Sequence, residues 1–341
     1  MPPDTHAATL NPPISAARTP ASSDIVTALR QASERARADG GADLLEKLVA
    51  ERRRAFAVVP KTARSDWPPA YPDPFPGRTA LPEINATDLT PALLGGALLH
   101  HGSLIVRGLT DAATASGLQQ EVDAAFAARD RYKAGAPSGE TSPWYAPVPG
   151  DELAGTRQWA EQCDAMWSAD SPRALADIIA LFQATGVIDT IAGYLGERPA
   201  LSVVKSTLRR VPVTAGGDWH QDGAFLGEHI RSVNVWLALS DCGADAAGLD
   251  IVGRRLPYVL QTGSHGSFFN WSVGGGVVAM LEEGGARIES PVFQAGDALL
   301  FDHLMLHRTA IRPGMTKSRW ASENWFFAPS SYPMDQVPLV V

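Results

Sequence analysis

After Pro199 the chain changes period. Upstream, apolar residues recur at helical spacing; downstream, short runs of β-branched and aromatic residues stand between turn signals. Leu201 to Val213, Ser232 to Asp241, Gly248 to Gly253, Ser290 to Gln294, Ala298 to Phe301, Leu304 to Ile311 and Ser318 to Phe327 all read as strands. With the segment Gly217 to Gly223, that makes about eight strands in the C-terminal two-fifths of the chain. Eight short strands expose fewest unpaired edges when two sheets close on each other, as in a jelly roll or cupin. Helices first and strands last give an α+β class, with the helices buttressing one sheet face.

Residues 1–22 are rich in Pro, Ala, Thr and Ser and read as a disordered tail. Residues 23–341 read as one domain: a helical and irregular part over 23–199, a strand core over about 200–328, and an insertion at 256–287. Helices are expected from Ser22 to about Arg35, Ala42 to Phe56, Thr90 to His100 and Thr114 to Arg129, then at about 158–168 and 172–195. Short strands are expected at Leu81 to Ile84 and Ser103 to Leu109, and a long loop or lid over 133–155. The insertion carries Tyr258, His265, Phe268, Phe269 and Trp271 before three consecutive glycines. At a barrel mouth such a loop is where substrate contacts sit; a plain surface insertion is the alternative.

The chemistry concentrates in Gly217–Asp218–Trp219–His220–Gln221–Asp222–Gly223. On extended chain His220 and Asp222 project to one face. About 85 residues later, the run Phe301 to His307 brings further histidines to a strand. Two histidines and one carboxylate, with the remaining positions open, are the facial triad of non-haem Fe(II) oxygenases. A turn at Gly296–Asp297 and a buried strand deliver His307 to the interior, whereas His303 reads as a supporting or surface residue. Thr309 lies two residues beyond His307, on the same strand face, and Arg319 about a dozen beyond, on the last of these strands. A planar guanidinium is the natural bidentate partner for a distal carboxylate, and the Thr309 hydroxyl could donate to the same group. Strand alternation places Asn234, Trp236 and Ala238 on one face and Val233, Val235, Leu237 and Leu239 on the other, core-packed face. Arg319, Ala321, Glu323 and Trp325 share a side, with Glu323 the member expected to pair with an arginine.

The run D-W-H-Q-D-G, then S-V-N-V-W-L-A-L-S-D, A-G-D-A-L-L-F-D, H-R-T and S-R-W resembles the phytanoyl-CoA dioxygenase family over roughly Leu201 to Phe327. The resemblance implies a double-stranded β-helix and an Fe(II)- and 2-oxoglutarate-dependent oxygenase that consumes O2. It implies iron ligands His220, Asp222 and His307, Arg319 as anchor of the 2-oxoglutarate carboxylate, Thr309 beside it, and Trp236 lining the co-substrate pocket. Gln221 between the ligands is also common in the family, and Lys205 and Thr207 are candidates for further co-substrate contacts. The chain departs from the family where P-G-S-H often follows the Gly-Leu strand: Gly263–Ser264–His265 arrives late. The implied reaction is hydroxylation of an unactivated C–H on a small or medium organic molecule, with release of succinate and CO2. Halogenating relatives lack the carboxylate ligand, so Asp222 favours oxidation. A catalytically inactive cupin-like binding protein, or a non-oxidative metalloenzyme on the same ligands, are the alternatives.

Totals exclude other classes. A net charge of −8 offers no basic surface for nucleic acid. No run approaches the roughly 18 apolar residues of a membrane span. Cys163 and Cys242, the only cysteines, form no metal or redox spacing, which suits a reducing cytoplasm. Arg231, Arg254 and Arg255 could receive an anionic substrate group, although arginines at strand ends are more often solvated.

Overall fold

A computed structural model describes residues 22–341, apart from 65, 151, 152 and 215. The tail expected over 1–22 lies outside the described residues except at Ser22, where the first helix begins. The helices are α1 (Ser22–Asp39), α2 (Ala42–Ala55), α3 (Pro91–His101), α4 (Ala112–Lys133), α5 (Ser138–Thr141), α6 (Ala154–Gln162), α7 (Pro172–Ala184), α8 (Val187–Leu195), α9 (Gly223–Leu226) and α10 (Gly275–Glu283). Local chemistry sets their ends. The Thr90 hydroxyl accepts from Leu93 N at 3.2 Å, proline follows at the first helical position, and Gly102 closes α3 in the left-handed region at φ 85°.

The strands are β1 (Glu83–Asn85), β2 (Ser103–Arg107), β3 (Ala165–Trp167), β4 (Ala200–Ser202), β5 (Thr207–Val211), β6 (Ser232–Ala238), β7 (Gly248–Val252), β8 (Ile288–Glu289), β9 (Ala298–Phe301), β10 (His307–Ala310), β11 (Arg319–Phe327) and β12 (Pro338–Val340). A nine-stranded sheet runs β1-β2-β9-β6-β11-β4-β12, with β5 also on β11 and β3 on β5. A three-stranded sheet runs β10-β7-β8. Leu249 and Ile251 of the small sheet pack with Trp236, Leu299, Phe301, Ala321 and Trp325 of the large one, so the two sheets face each other. The opposite face of the large sheet, including Val233, Val235, Leu237 and Leu300, packs on α3, α4, α7 and α8. The expected alternation of β6 into two faces therefore holds, although both faces are buried and not the valine–leucine face alone.

Several sequence expectations need correction. The segment expected to be helical at 158–168 ends at Gln162, and Ala165–Trp167 pairs with β5 instead. Three residues carry too little periodicity to reveal a strand, and pairing with β5 overrides the helical pattern around them. The helix expected over 172–195 divides at Gly186, whose φ of 73° stops α7 and lets α8 leave at a new angle. Ser290 to Gln294 forms no strand beyond a bridge between Cys242 and Phe293. The insertion is not structureless: it holds α10 and closes its own apolar cluster of Leu256, Leu260, Val273, Val277 and Val278 with Trp219 and Leu306. No single helix among the described residues is long and apolar enough to cross a membrane.

Candidate metal centre

His220 and His307 meet across the mouth of the small sheet. Each backbone N–H donates to the other's carbonyl, at 3.0 and 3.1 Å, as an isolated antiparallel bridge that extends β10 by one partner. Their rings lie 4.3 Å apart. His220 Nδ1 is 2.9 Å from the Asp218 carbonyl, and His307 Nδ1 is 3.1 Å from the Met305 carbonyl. A carbonyl can only accept, so both Nδ1 atoms carry a proton, and Nε2 is the atom each ring turns toward the cluster. This is how protein folds prepare imidazoles for a metal. Asp222 completes the group: ligand atoms of His220, Asp222 and His307 all lie within 4.8 Å of one another.

Asp222 reaches this position in an unexpected way. It is helical, at φ −63° and ψ −23°, and it opens the short helix α9 rather than continuing a strand. The carboxylate is thus turned toward the histidines by the start of a helix, and strand alternation is not what aligns it. Its Oδ1 accepts from Lys205 Nζ at 2.7 Å, while Oδ2 lies 3.9 Å from His307 Nε2. Burial raises the Asp222 pKa, but Lys205, His220 and His307 together pull harder and hold it at about 2. Burial and neighbouring His220 push His307 down to about 4, so its imidazole is neutral near pH 7. The donor set is one carboxylate and two imidazoles, which fits a divalent transition metal.

Gln221, between the ligands, points away from them and is fully buried. Its amide N–H groups donate to Leu304 O at 2.6 Å and Tyr258 O at 3.0 Å, and its oxygen accepts from Leu260 N at 2.7 Å. It ties the turn before His307 to the root of the insertion. His303 is buried, not at the surface: Ser232 Oγ donates to its Nδ1 at 2.9 Å, and its Nε2 donates to Glu228 O at 3.0 Å. His229 and His265 are exposed.

Deeper between the sheets lies a second polar group. Register places Thr309 opposite Leu249 and His307 opposite Ile251, so both side chains share the inward face of those strands. Arg319 is fully buried, and its Nη1 donates to Gly248 O at 2.9 Å. Its Nε and Nη2 are buried with no hydrogen-bond partner among the described residues, as is Trp236 Nε1. The guanidinium sits 5.5 Å from the Trp236 ring. Burial, then Arg209, lowers the Arg319 pKa to about 10, which leaves it charged at neutral pH. A buried charged fork with two unmet donors costs several kcal/mol unless something accepts from it.

Glu323 pairs with an arginine, as expected: Oε1 accepts from Arg209 Nη1 at 2.9 Å and Oε2 from the Thr207 hydroxyl at 3.1 Å. Side chains of Lys205, Arg209 and Glu323 each keep about a fifth of their surface accessible, at 22%, 20% and 22%. Thr207 therefore serves Glu323 and Lys205 serves Asp222. Arg231 and Arg255 do not stand free: Arg231 is buried against Glu197 and Ser330, and Arg255 pairs with Asp302. Tyr145 packs in the helical core. Two surface clefts of about 320 and 400 Å³ lie against α1, and no residue of the metal cluster lines either. Asp218 was missed by sequence reasoning; its signal is the i, i+2 spacing to His220, which lets one residue orient the ligand ring from its carbonyl.

No protein-family model matches the chain, and no curated protein matches it. Among solved structures it is similar to EctD from S. alaskensis with 2-oxoglutarate and 5-hydroxyectoine, at 16% identity and TM-score 0.49, covering 80% of this chain and 88% of that one. It is also similar to EvdO2 from Micromonospora carbonacea var. aurantiaca complexed with 2-oxoglutarate, at 16% identity and TM-score 0.42, covering 71% and 89%. A third is SnoK, a non-heme alpha ketoglutarate dependent carbocyclase from nogalamycin biosynthesis, at 12% identity and TM-score 0.41, covering 67% and 79%.

Proposed function

We propose that this chain is an Fe(II)- and 2-oxoglutarate-dependent oxygenase of the phytanoyl-CoA dioxygenase kind, hydroxylating an unactivated C–H of a small or medium organic substrate. The observation that carries the reading is one interior with two polar ends: a His220–Asp222–His307 cluster and, reaching in from the facing large sheet, an Arg319 fork with unmet donors. The two facing sheets are, in this reading, the walls of a double-stranded β-helix within one oxygenase domain over residues 23–341. It acts in the cytoplasm on small molecules, without nucleic-acid or membrane partners.

The residues divide the work. His220 and His307 would bind iron through Nε2 and Asp222 through a carboxylate oxygen, and the rest of the coordination sphere would stay free for co-substrate and O2. Arg319 would receive the distal carboxylate of 2-oxoglutarate, with Thr309 beside it and Trp236 Nε1 closing the pocket wall. When bound, iron and 2-oxoglutarate supply the oxidising power, releasing succinate and CO2. Lys205 keeps Asp222 ionised and fixes which of its oxygens turns toward the histidines. Asp218 and Met305 hold the two rings in the ligating tautomer. Keeping water from the reacting carbon would fall to the apolar residues packed between the sheets, among them Leu249, Ile251 and Phe301.

The test is succinate release from 2-oxoglutarate by the purified protein with Fe(II) and O2. Release is expected, with loss on anaerobiosis or on replacing iron by zinc. Zinc-dependent hydrolysis without succinate would instead favour a non-oxidative metalloenzyme, in which Arg319 has no assigned task.

A further inference from the structure

Large rings converge where the metal cluster opens to solvent. Trp271, in the insertion, lies 5.8 Å from the His220 ring at 89° and 6.2 Å from Phe225 at 85°. It stacks on Phe269 at 5.0 Å and 7°, and Trp159 of α6 abuts both rings nearly at right angles. Phe268 joins the far end, 4.7 Å from Phe269. These rings come from three separate segments, and four stay open to solvent: Phe268 at 80%, Trp159 at 44%, Phe225 at 41% and Phe269 at 38%. Single exposed rings are ordinary, but a contiguous set beside a metal ligand marks a binding surface.

The cluster is held in place rather than draped. Asp218 Oδ2 accepts from Phe268 N at 3.0 Å and from the Ser272 hydroxyl at 2.7 Å, and Val273 N donates to Trp219 O at 2.8 Å. The same Asp218 orients His220 through its carbonyl. One residue therefore fixes both the metal ligand and the aromatic turn, so their separation is set by the fold. Charged groups at this rim already have partners: Lys205 binds Asp222 and lies 4.2 Å over the Phe225 ring, leaving that ring's other face, Asp218 takes the two donors just named, and Glu228 accepts from Val259 N at 2.7 Å. What remains to meet a ligand is ring faces and edges, a surface that selects flat π systems over flexible chains.

We propose that Trp159, Phe225, Phe268, Phe269 and Trp271 form the substrate-recognition rim, and that the substrate presents an uncharged, planar ring system to it. Calling the ligand a substrate rests on the oxygenase reading; the ring-binding site itself does not. The test compares 2-naphthol with 1-decanol, equal in carbon number, by calorimetry on the full chain under argon, with and without Fe(II) and 2-oxoglutarate. Expected is at least tenfold tighter binding of 2-naphthol. Trp271→Ala should weaken it tenfold or more, Trp271→Phe less than threefold. Should Trp271→Ala fail to fold, the double change Phe268→Ala, Phe269→Ala, on exposed rings, decides with an expected loss of threefold or more. Equal binding of 1-decanol, or naphthol affinity untouched by the alanine changes, overturns the proposal. So does a concentration-dependent dimer that the double variant abolishes, which would give the rim to a second copy. Naphthol binding without succinate release would instead remove the oxygenase reading and leave the ring site standing; succinate release without naphthol binding removes only the ring site.

Discussion

On β6, Val233, Val235 and Leu237 turn to the helices, while Trp236 and Ala238, interleaved with them, turn to the smaller sheet. Beside it, β11 sends Phe326 to the helix side and Arg319, Ala321, Glu323 and Trp325 to the other. Both faces are buried, yet they are built on different terms. The helix side is mainly apolar, with Ser322 and Asn324 as buried polar members. The inter-sheet side takes in a guanidinium, a carboxylate pair and imidazoles, and leaves donors unmet. Burial alone therefore does not separate scaffold from site in this molecule, and neither does a single unmet atom, since Trp167 Nε1 on the helix side has no partner among the described residues; what marks the site is a buried guanidinium with two donors unmet.

The comparison can be broken experimentally, and the largest effect belongs at the cluster. His220→Ala or Asp222→Ala should reduce succinate release on the order of 10³-fold or more, with weakened Fe(II) binding in a metal titration. Full turnover by either variant removes that ligand from the site. Next come paired changes on the two faces. Leu237→Ala should cost about 2–5 kcal/mol of stability in urea while leaving the 2-oxoglutarate requirement unchanged. Arg319→Met should do the reverse, raising the 2-oxoglutarate KM on the order of 10²-fold with little loss of stability. If Arg319→Met unfolds as readily as Leu237→Ala, the guanidinium is scaffold and the contrast fails.

Two smaller effects sharpen the picture. Glu121 of α4 is pushed up to about 8 by burial and then by Asp177. A folded-state pKa above the unfolded value adds stability in acid, which fades as pH rises through that value. The melting temperature should thus decline between about pH 5 and 8.5, and Glu121→Gln should flatten that decline. Smallest is Gln221→Leu, which strands Leu260 N and two carbonyls: about 1–3 kcal/mol by urea unfolding, with a rise in protease sensitivity confined to the insertion.

Much of the site was legible in the sequence because its spacing is local. The later histidine and Arg319 follow from strand runs and residue type, and the H-x-D from residue type and spacing alone. Long-range partnerships were not legible. Lys205 on Asp222, Asp218 beneath the insertion and Arg209 on Glu323 depend on which strands pair, and periodicity carries no register between distant segments. Asp222 shows the limit most plainly: the residue was found, but the reason for its direction was a helix start that four residues scarcely announce. β3 escaped for the same lack of length.

The bridge between His220 and His307 joins positions about 85 residues apart by one pair of backbone hydrogen bonds. It has a consequence in time. Closing so long a loop is slow compared with forming any helix upstream, because its entropy is spent before the contact rewards it. Until β10 docks, the chain offers only an imidazole and a carboxylate, a grip too weak to retain a divalent metal. Metal capture should therefore await that closure, and the ion would then hold the two segments together.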